Sequence, residues 1–151
     1  MNAIKRVPMM ITLLGAFLLL SSCGGNMPDN LGVTGNRLTP CPTSPNCVSS
    51  IAGEDKDHAI APLTYSEPFA KARQRLLDTI RYMERTTIIT ENEHYIHAEF
   101  RSGLFRFVDD VEFYFDDQAN IIHVRSASRV GHSDFGVNRR RVEEIRNRYT
   151  P

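Results

Sequence analysis

From Thr86 to Val130 the chain reads as four extended runs in succession. Runs of this kind bury an apolar face only by pairing with one another in a sheet, which rules out an all-helical fold. Thr86-Thr87-Ile88-Ile89-Thr90 is β-branched, and Asn92-Glu93 supplies a turn. Tyr95 to Arg101 alternates apolar and polar residues, and Phe105 to Phe115 is the strongest strand signal. Asp117 to Asn120 has the composition of a hairpin turn, and Ile121 to Val130 forms the fourth run.

Helical periodicity brackets this region. Phe69, Ala72, Leu76, Leu77, Ile80 and Met83 recur at helical spacing, predicting an amphipathic helix over Glu67 to Glu84 with Ser66 as its N-cap. Val142, Ile145 and Tyr149 form the buried stripe of a closing helix, Asn138 to Tyr149, and Asn138 points the same way as Val142. His58 to Leu63 reads as an entry strand. The expected fold is a single small α+β domain of order β-α-β-β-β-β-α. Two helices would cover one face of an antiparallel sheet of about four to five strands.

Alternation sorts the strand residues by face. Phe105, Phe107, Asp109, Val111, Phe113 and Phe115 fall on the helix-covered side, with Ile122, Val124, Ser126, Ser128 and Val130 of the next run. His97, Glu99, Arg101, Arg106, Asp110, Glu112, His123, Arg125 and Arg129 fall on the opposite side, expected to be a solvated polar face.

The start of the chain has a different grammar. Lys5 and Arg6 precede an apolar run from Val7 to Leu20, followed by Leu20-Ser21-Ser22-Cys23. The run is shorter than the roughly 20 residues of a spanning helix and fits a signal peptide. Its last four residues resemble a bacterial lipobox, which implies that Cys23 receives a lipid and becomes the mature N-terminus. Gly24 at the next position is similar to the outer-membrane sorting pattern of Gram-negative lipoproteins. Residues 1–22 are thus expected to be an export signal, 23–39 a lipidated flexible tether rich in Gly, Asn and Pro, and 40–151 the folded domain. The setting expected from this is a lipid-anchored protein of the cell envelope, facing the periplasm.

An exported protein is exposed to oxidation, so Cys41 and Cys47 are predicted to form a disulfide across Pro42-Thr43-Ser44-Pro45-Asn46. The spacing is not that of a C-x-x-C redox pair.

Three stretches resemble one family. They are Cys41-Pro42-Thr43-Ser44-Pro45-Asn46-Cys47-Val48-Ser49-Ser50; Phe105-Arg106-Phe107-Val108-Asp109-Asp110-Val111-Glu112-Phe113; and Val124-Arg125-Ser126-Ala127-Ser128-Arg129-Val130-Gly131, continued by Asp134, Gly136, Asn138 and Arg141. The combination resembles the bacterial and plastid domain of unknown function DUF1499, in a lipoprotein form. The resemblance implies an envelope setting and brings no activity, cofactor or catalytic residues.

Charge narrows the function further. The chain has 18 Lys plus Arg and 18 Asp plus Glu; the leader takes away Lys5 and Arg6, so the mature chain carries −2. That balance gives no support for nucleic-acid binding, which needs a basic surface. Asp109 and Asp110 point to opposite faces of a strand and cannot act as a carboxylate dyad there. Asp109, set among Phe residues, needs partners; Ser126, Ser128, Asn138 or an arginine could supply them. The same group, with Arg125, Arg129 and Asp134, could instead bind a ligand or catalyse. Arg125 and Arg129 share a face about 13 Å apart at roughly 3.3 Å per residue, where they could grip an anionic lipid or a small anion. Nearby Glu99, Asp110 and Glu112 could equally neutralise them. His97, His123, Glu99 and Asp110 could converge, but a polar face explains them without a metal. His132-Ser133-Asp134 is contiguous, whereas a triad converges in space. Arg139 with Glu143, Arg140 with Glu144, and Glu144 with Arg148 are spaced as helical ion pairs. The function expected is a non-enzymatic binding domain at the membrane, without cofactor or metal. The alternative is an envelope enzyme or anion binder built on Asp109, Arg125, Ser126, Arg129, Asp134 and Asn138.

Overall fold

The alternating runs pair into one sheet, and the helical segments lie across one of its faces. The computed structural model describes residues 24–51, 53 and 55–149. The expected export signal, residues 1–22, and Cys23 lie outside the described residues.

Ten elements follow in order: β1 (Val33–Thr34), β2 (Arg37–Leu38), β3 (Cys47–Ser49), β4 (Leu63–Thr64), α1 (Phe69–Arg81), β5 (Thr86–Glu91), β6 (Tyr95–Arg101), β7 (Val108–Asp116), β8 (Ile121–Ser128) and α2 (Val137–Tyr149). The main sheet runs β3-β8-β7-β6-β5, and β4 pairs with the start of β8. Every strand pairing in it is antiparallel. This is the expected α+β class.

The helix-covered face holds the apolar core. Ile96, Ala98, Phe100, Val111, Phe113, Phe115, Ile122 and Val124 of the sheet meet Ala72, Leu76, Leu77 and Ile80 of α1 and Val142, Ile145 and Tyr149 of α2. Phe113 and Phe115 are fully buried. Each such ring contributes about 1.5–3 kcal/mol by leaving water, which makes β7 the spine of the sheet.

Several boundaries differ from the sequence expectation. α1 begins after Pro68, whose ψ of 140° is extended, so Ser66 is not its cap. β7 begins at Val108, because Arg106 adopts a left-handed φ of 56° that breaks the strand. Ser102 closes the resulting turn: its N–H donates to the Phe107 carbonyl, and its Oγ accepts from the Phe107 N–H, each at 2.9 Å. Phe105 and Phe107 are therefore not on the core face; they are 63% and 42% exposed. Arg106 leaves the polar face for the same reason. Val130 lies beyond the end of β8 and is exposed.

The largest difference concerns the polar face, which is not solvated. His97, Glu99, Asp110, Glu112 and Arg125 are all buried. The stretch expected to be a loose tether supplies part of their cover. β1 and β2 form a small hairpin, Leu38 is buried, and β2 lies against β7 and β8. The Gly32 N–H donates to Glu112 Oε1 at 2.7 Å.

Cys41 and Cys47 form the disulfide, with Cα atoms 5.7 Å apart. It anchors the loop that leads into β3, where Cys47 pairs with Ala127. Replacing both cysteines with serine is expected to lower stability by about 2 kcal/mol, from the closure entropy of so short a loop. Thermal unfolding of the two forms checks this; equal midpoints would remove the disulfide from the stability of the domain.

Candidate functional site

Pairing register decides which polar residues meet. On the far face of the sheet, β6 places Glu99 directly opposite Asp110, and β7 places Glu112 directly opposite Arg125. Two adjacent carboxylates, Glu99 and Asp110, would repel across the strands. Arg129 resolves this from just beyond β8. Its Nε donates to Asp110 Oδ2 at 2.8 Å, and its Nη2 to Asp110 Oδ1 at 2.7 Å and Glu99 Oε1 at 2.6 Å. Arg101 holds the other Glu99 oxygen at 2.6 Å. His97 Nε2 lies 2.7 Å from Asp110 Oδ1.

Burial alone would push the Asp110 carboxyl up, but the hydrogen bonds from Arg129 and His97 outweigh it and hold the group below its ordinary range. The Asp110 hydrogen bond raises the Arg129 guanidinium against the opposing effect of burial, and Glu99 adds to the rise. Glu112 accepts from Arg125 at 2.9 Å, the Tyr95 hydroxyl at 2.9 Å and the Gly32 N–H. Burial, then the charge of Glu112, pushes the Tyr95 hydroxyl well above its ordinary value.

On the helix-covered face a second polar cluster ties α2 to the sheet. Asn138 is fully buried. Its Oδ1 accepts from Ser126 Oγ at 2.5 Å and Arg141 at 2.7 Å; its Nδ2 donates to the Asn46 carbonyl and to Ser128 Oγ, both at 3.0 Å. Asp109 receives Arg141 at 2.5 Å, and that guanidinium also stands over the Phe100 ring at 5.0 Å. Asp134 caps α2, its Oδ2 accepting from the Asn138 N–H at 2.7 Å and its Oδ1 from the Gly136 N–H at 2.9 Å.

The seven residues singled out in the sequence therefore do not surround one pocket. Asp109, Ser126, Ser128 and Asn138 share the α2 cluster, Arg125 and Arg129 belong to the far face, and Asp134 is a helix cap. The contacts made by Arg125 and Arg129 are buried ion pairs, so neither presents a free cation for a lipid headgroup. His97 faces Asp110, whereas His94, in the turn before β6, stacks on Phe69 with 4.9 Å between ring centres. Among the described residues no group of three or more His, Cys, Asp or Glu is placed to hold a metal ion. The expected helical ion pairs form only at Glu144–Arg148. Arg139 instead donates to the carbonyls of Ala59 and Asp57, and Arg140 to that of Phe135.

Two contributors were invisible to strand patterning. Arg141 sits one helical turn after Asn138, a spacing that could have marked it as a neighbour. Asn46 binds the cysteine loop to the same cluster and donates to the Gly131 carbonyl at 2.6 Å, a contact with no local signature.

One open surface lies where the α1–β5 turn and the end of β6 face α2. A groove of about 510 Å³ is lined there by Arg85, Arg101, Arg140 and Arg148, with Glu84 and Glu144 among them. Glu84 pairs with Arg85 and Glu144 with Arg148, each at 2.8 Å. Arg140 has no carboxylate partner among the described residues. The arginines of the groove can attract an anion.

A search of curated proteins found no match for the chain. The family model described as a protein of unknown function, DUF1499, matches residues 37–148, from β2 to the last turn of α2. That span includes the disulfide and, apart from Gly32, both polar clusters, and the chain belongs to the DUF1499 family.

Proposed function

We propose that this protein is a lipid-anchored lipoprotein of the bacterial envelope, facing the periplasm, whose domain binds rather than catalyses. The observation that carries the reading is the path of the chain just after Cys23. Gly24 is buried, and Gly25, although exposed, runs so close to the folded domain that a Cβ there would stand 3.0 Å from both Arg129 Cβ and Val130 Cγ1. Gly25 also has a left-handed φ of 70°, which favours glycine. A lipid on Cys23 would thus hold the domain directly against the bilayer, without a slack linker. The lipobox-like Leu20-Ser21-Ser22-Cys23 supports the same reading from the sequence. The charged groups of the two polar clusters are buried and paired with one another, which argues against either cluster as a reaction centre, because a reacting group must be reachable by its substrate.

Cys23→Ser is expected to abolish incorporation of radiolabelled palmitate and to move the protein from the membrane to the soluble fraction. Wild-type protein recovered from the cytosol with its leader uncut and Cys41 and Cys47 reduced would end the proposal.

A further inference from the structure

The end of the domain that receives Gly25 is also its most apolar exposed region. Leu104 is 82% exposed, Phe105 63% and Phe135 88%, with Phe107, Val130 and Val137 partly open beside them. Leu104, Phe105 and Phe107 belong to the β6–β7 turn. Val130, Phe135 and Val137 belong to the segment from the end of β8 to the first residue of α2. Strand pairing brings the two segments together, since the Arg129 N–H donates to the Val108 carbonyl at 3.1 Å. The Phe105 and Phe107 rings stack at 5.6 Å, covering each other but not meeting the core.

A water-soluble surface has little reason to gather aromatic and aliphatic side chains at one tip, and such patches mark interaction sites. Cations stand beside this one. Arg106, between Phe105 and Phe107 in sequence, and Arg140, donating to the Phe135 carbonyl, have no carboxylate partner among the described residues. Arg85, Arg101 and Arg106 line a further hollow of about 220 Å³ at the same turn. Apolar rings with arginines at their margin suit the boundary between acyl chains and acidic headgroups, where the rings enter the hydrocarbon and the guanidinium groups meet phosphate.

We propose that the tip formed by Leu104, Phe105, Phe107 and Phe135 inserts into the bilayer surface, with Arg106 and Arg140 on acidic phospholipid headgroups, so that the domain sits on the membrane in one orientation. The inference rests on the anchoring proposed above, and Gly25 supplies the link. Gly25, two residues after Cys23, stands against Arg129 and Val130, at the same end as the tip. An acyl group on Cys23 and the aromatic tip then enter the same leaflet. Two attachments of this kind hold far more firmly than either alone.

The chain has no Trp, so a single introduced Trp reports its own surroundings. The full, lipidated chain carrying Phe105→Trp is reconstituted into vesicles of phosphatidylcholine and phosphatidylglycerol containing brominated acyl chains. Gln118→Trp, in the β7–β8 turn at the other end of the sheet, is the control. The expected result is a blue-shifted Phe105→Trp emission and a roughly twofold loss of intensity to the bromines, with Gln118→Trp unaffected. Adding Arg106→Glu and Arg140→Glu is expected to reverse the quenching in vesicles with phosphatidylglycerol. Protein that floats with the vesicles while Phe105→Trp stays unquenched would overturn the tip and leave the anchor standing. Protein that fails to float would overturn both. A blue shift that appears without vesicles and grows with protein concentration would assign the tip to a second copy of the chain, and would also overturn the proposal.

Discussion

Asp110→Asn is expected to destabilise the domain by about 3–5 kcal/mol, the cost of breaking a buried ion pair by removing one partner. Asp110 is 1% exposed and accepts two hydrogen bonds from Arg129 and one contact from His97. An amide at this position cannot neutralise Arg129, and it turns an N–H₂ group toward one of the donors. Glu99 still touches Arg129, so the arginine keeps one partner, and Arg101 stays on Glu99. The sign of the pH effect follows from the lowered pKa of Asp110 in the fold. The unfolded carboxyl titrates near about 4, so the stabilisation is complete above that pH and disappears as pH falls through the lower folded value. Wild-type stability should therefore decline more steeply on acidification than that of Asp110→Asn. Denaturant unfolding at neutral pH and below pH 4 measures both effects. A neutral-pH loss below about 1 kcal/mol would mean that water reaches the face and that the pairs behave as surface salt bridges.

The second large effect is expected at Asn138. Asn138→Leu keeps the branched heavy-atom skeleton, in a larger side chain, but removes both hydrogen-bond functions from a fully buried site. The Asn46 carbonyl, Ser126 Oγ, Ser128 Oγ and Arg141 each lose a partner at once. Arg141 keeps Asp109 and the Asn46 carbonyl keeps the Ser128 N–H, so the cost falls on the Ser126 and Ser128 hydroxyls, and the expected loss is about 2–4 kcal/mol. The damage should be local in a recognisable way. Asn46 also accepts from the Ser128 N–H at 3.0 Å, so loosening its loop should speed hydrogen exchange at Ser128 before the β6–β7 pairing is affected. Uniform acceleration across the sheet would instead show that Asn138 supports the whole fold rather than the junction of α2, β8 and the cysteine loop.

Both sites were partly legible before the fold was known, and unequally. Asn138 was placed correctly because helical spacing from Val142, Ile145 and Tyr149 sets its direction regardless of what lies beneath. Asp109 and Asp110 were separated correctly because neighbours on a strand point to opposite faces. Asp110 is expected from the sequence to be solvated or salt-bridged; it is salt-bridged to Arg129, but in a buried setting. Its alternation says only that it lies opposite the helices, and a polar residue there suits water as well as it suits a buried partner. The Phe105 and Phe107 assignment failed for a different reason. Alternation is judged on residue type, and the left-handed turn at Arg106 leaves no trace in an apolar run.

Local periodicity in this chain was enough to establish the strands, the two helices and the α+β class, because side-chain direction along an element depends only on its own backbone geometry. The pairing of Cys41 with Cys47 was likewise readable from spacing and the expected oxidising setting. The environment of each face was decided by residues remote in sequence. Gly32 reaches Glu112 across 80 positions, and the hairpin at β1 and β2 helps turn a polar surface into a buried ion-pair layer. Burial is a property of two surfaces meeting, and no pattern within one of them specifies the other.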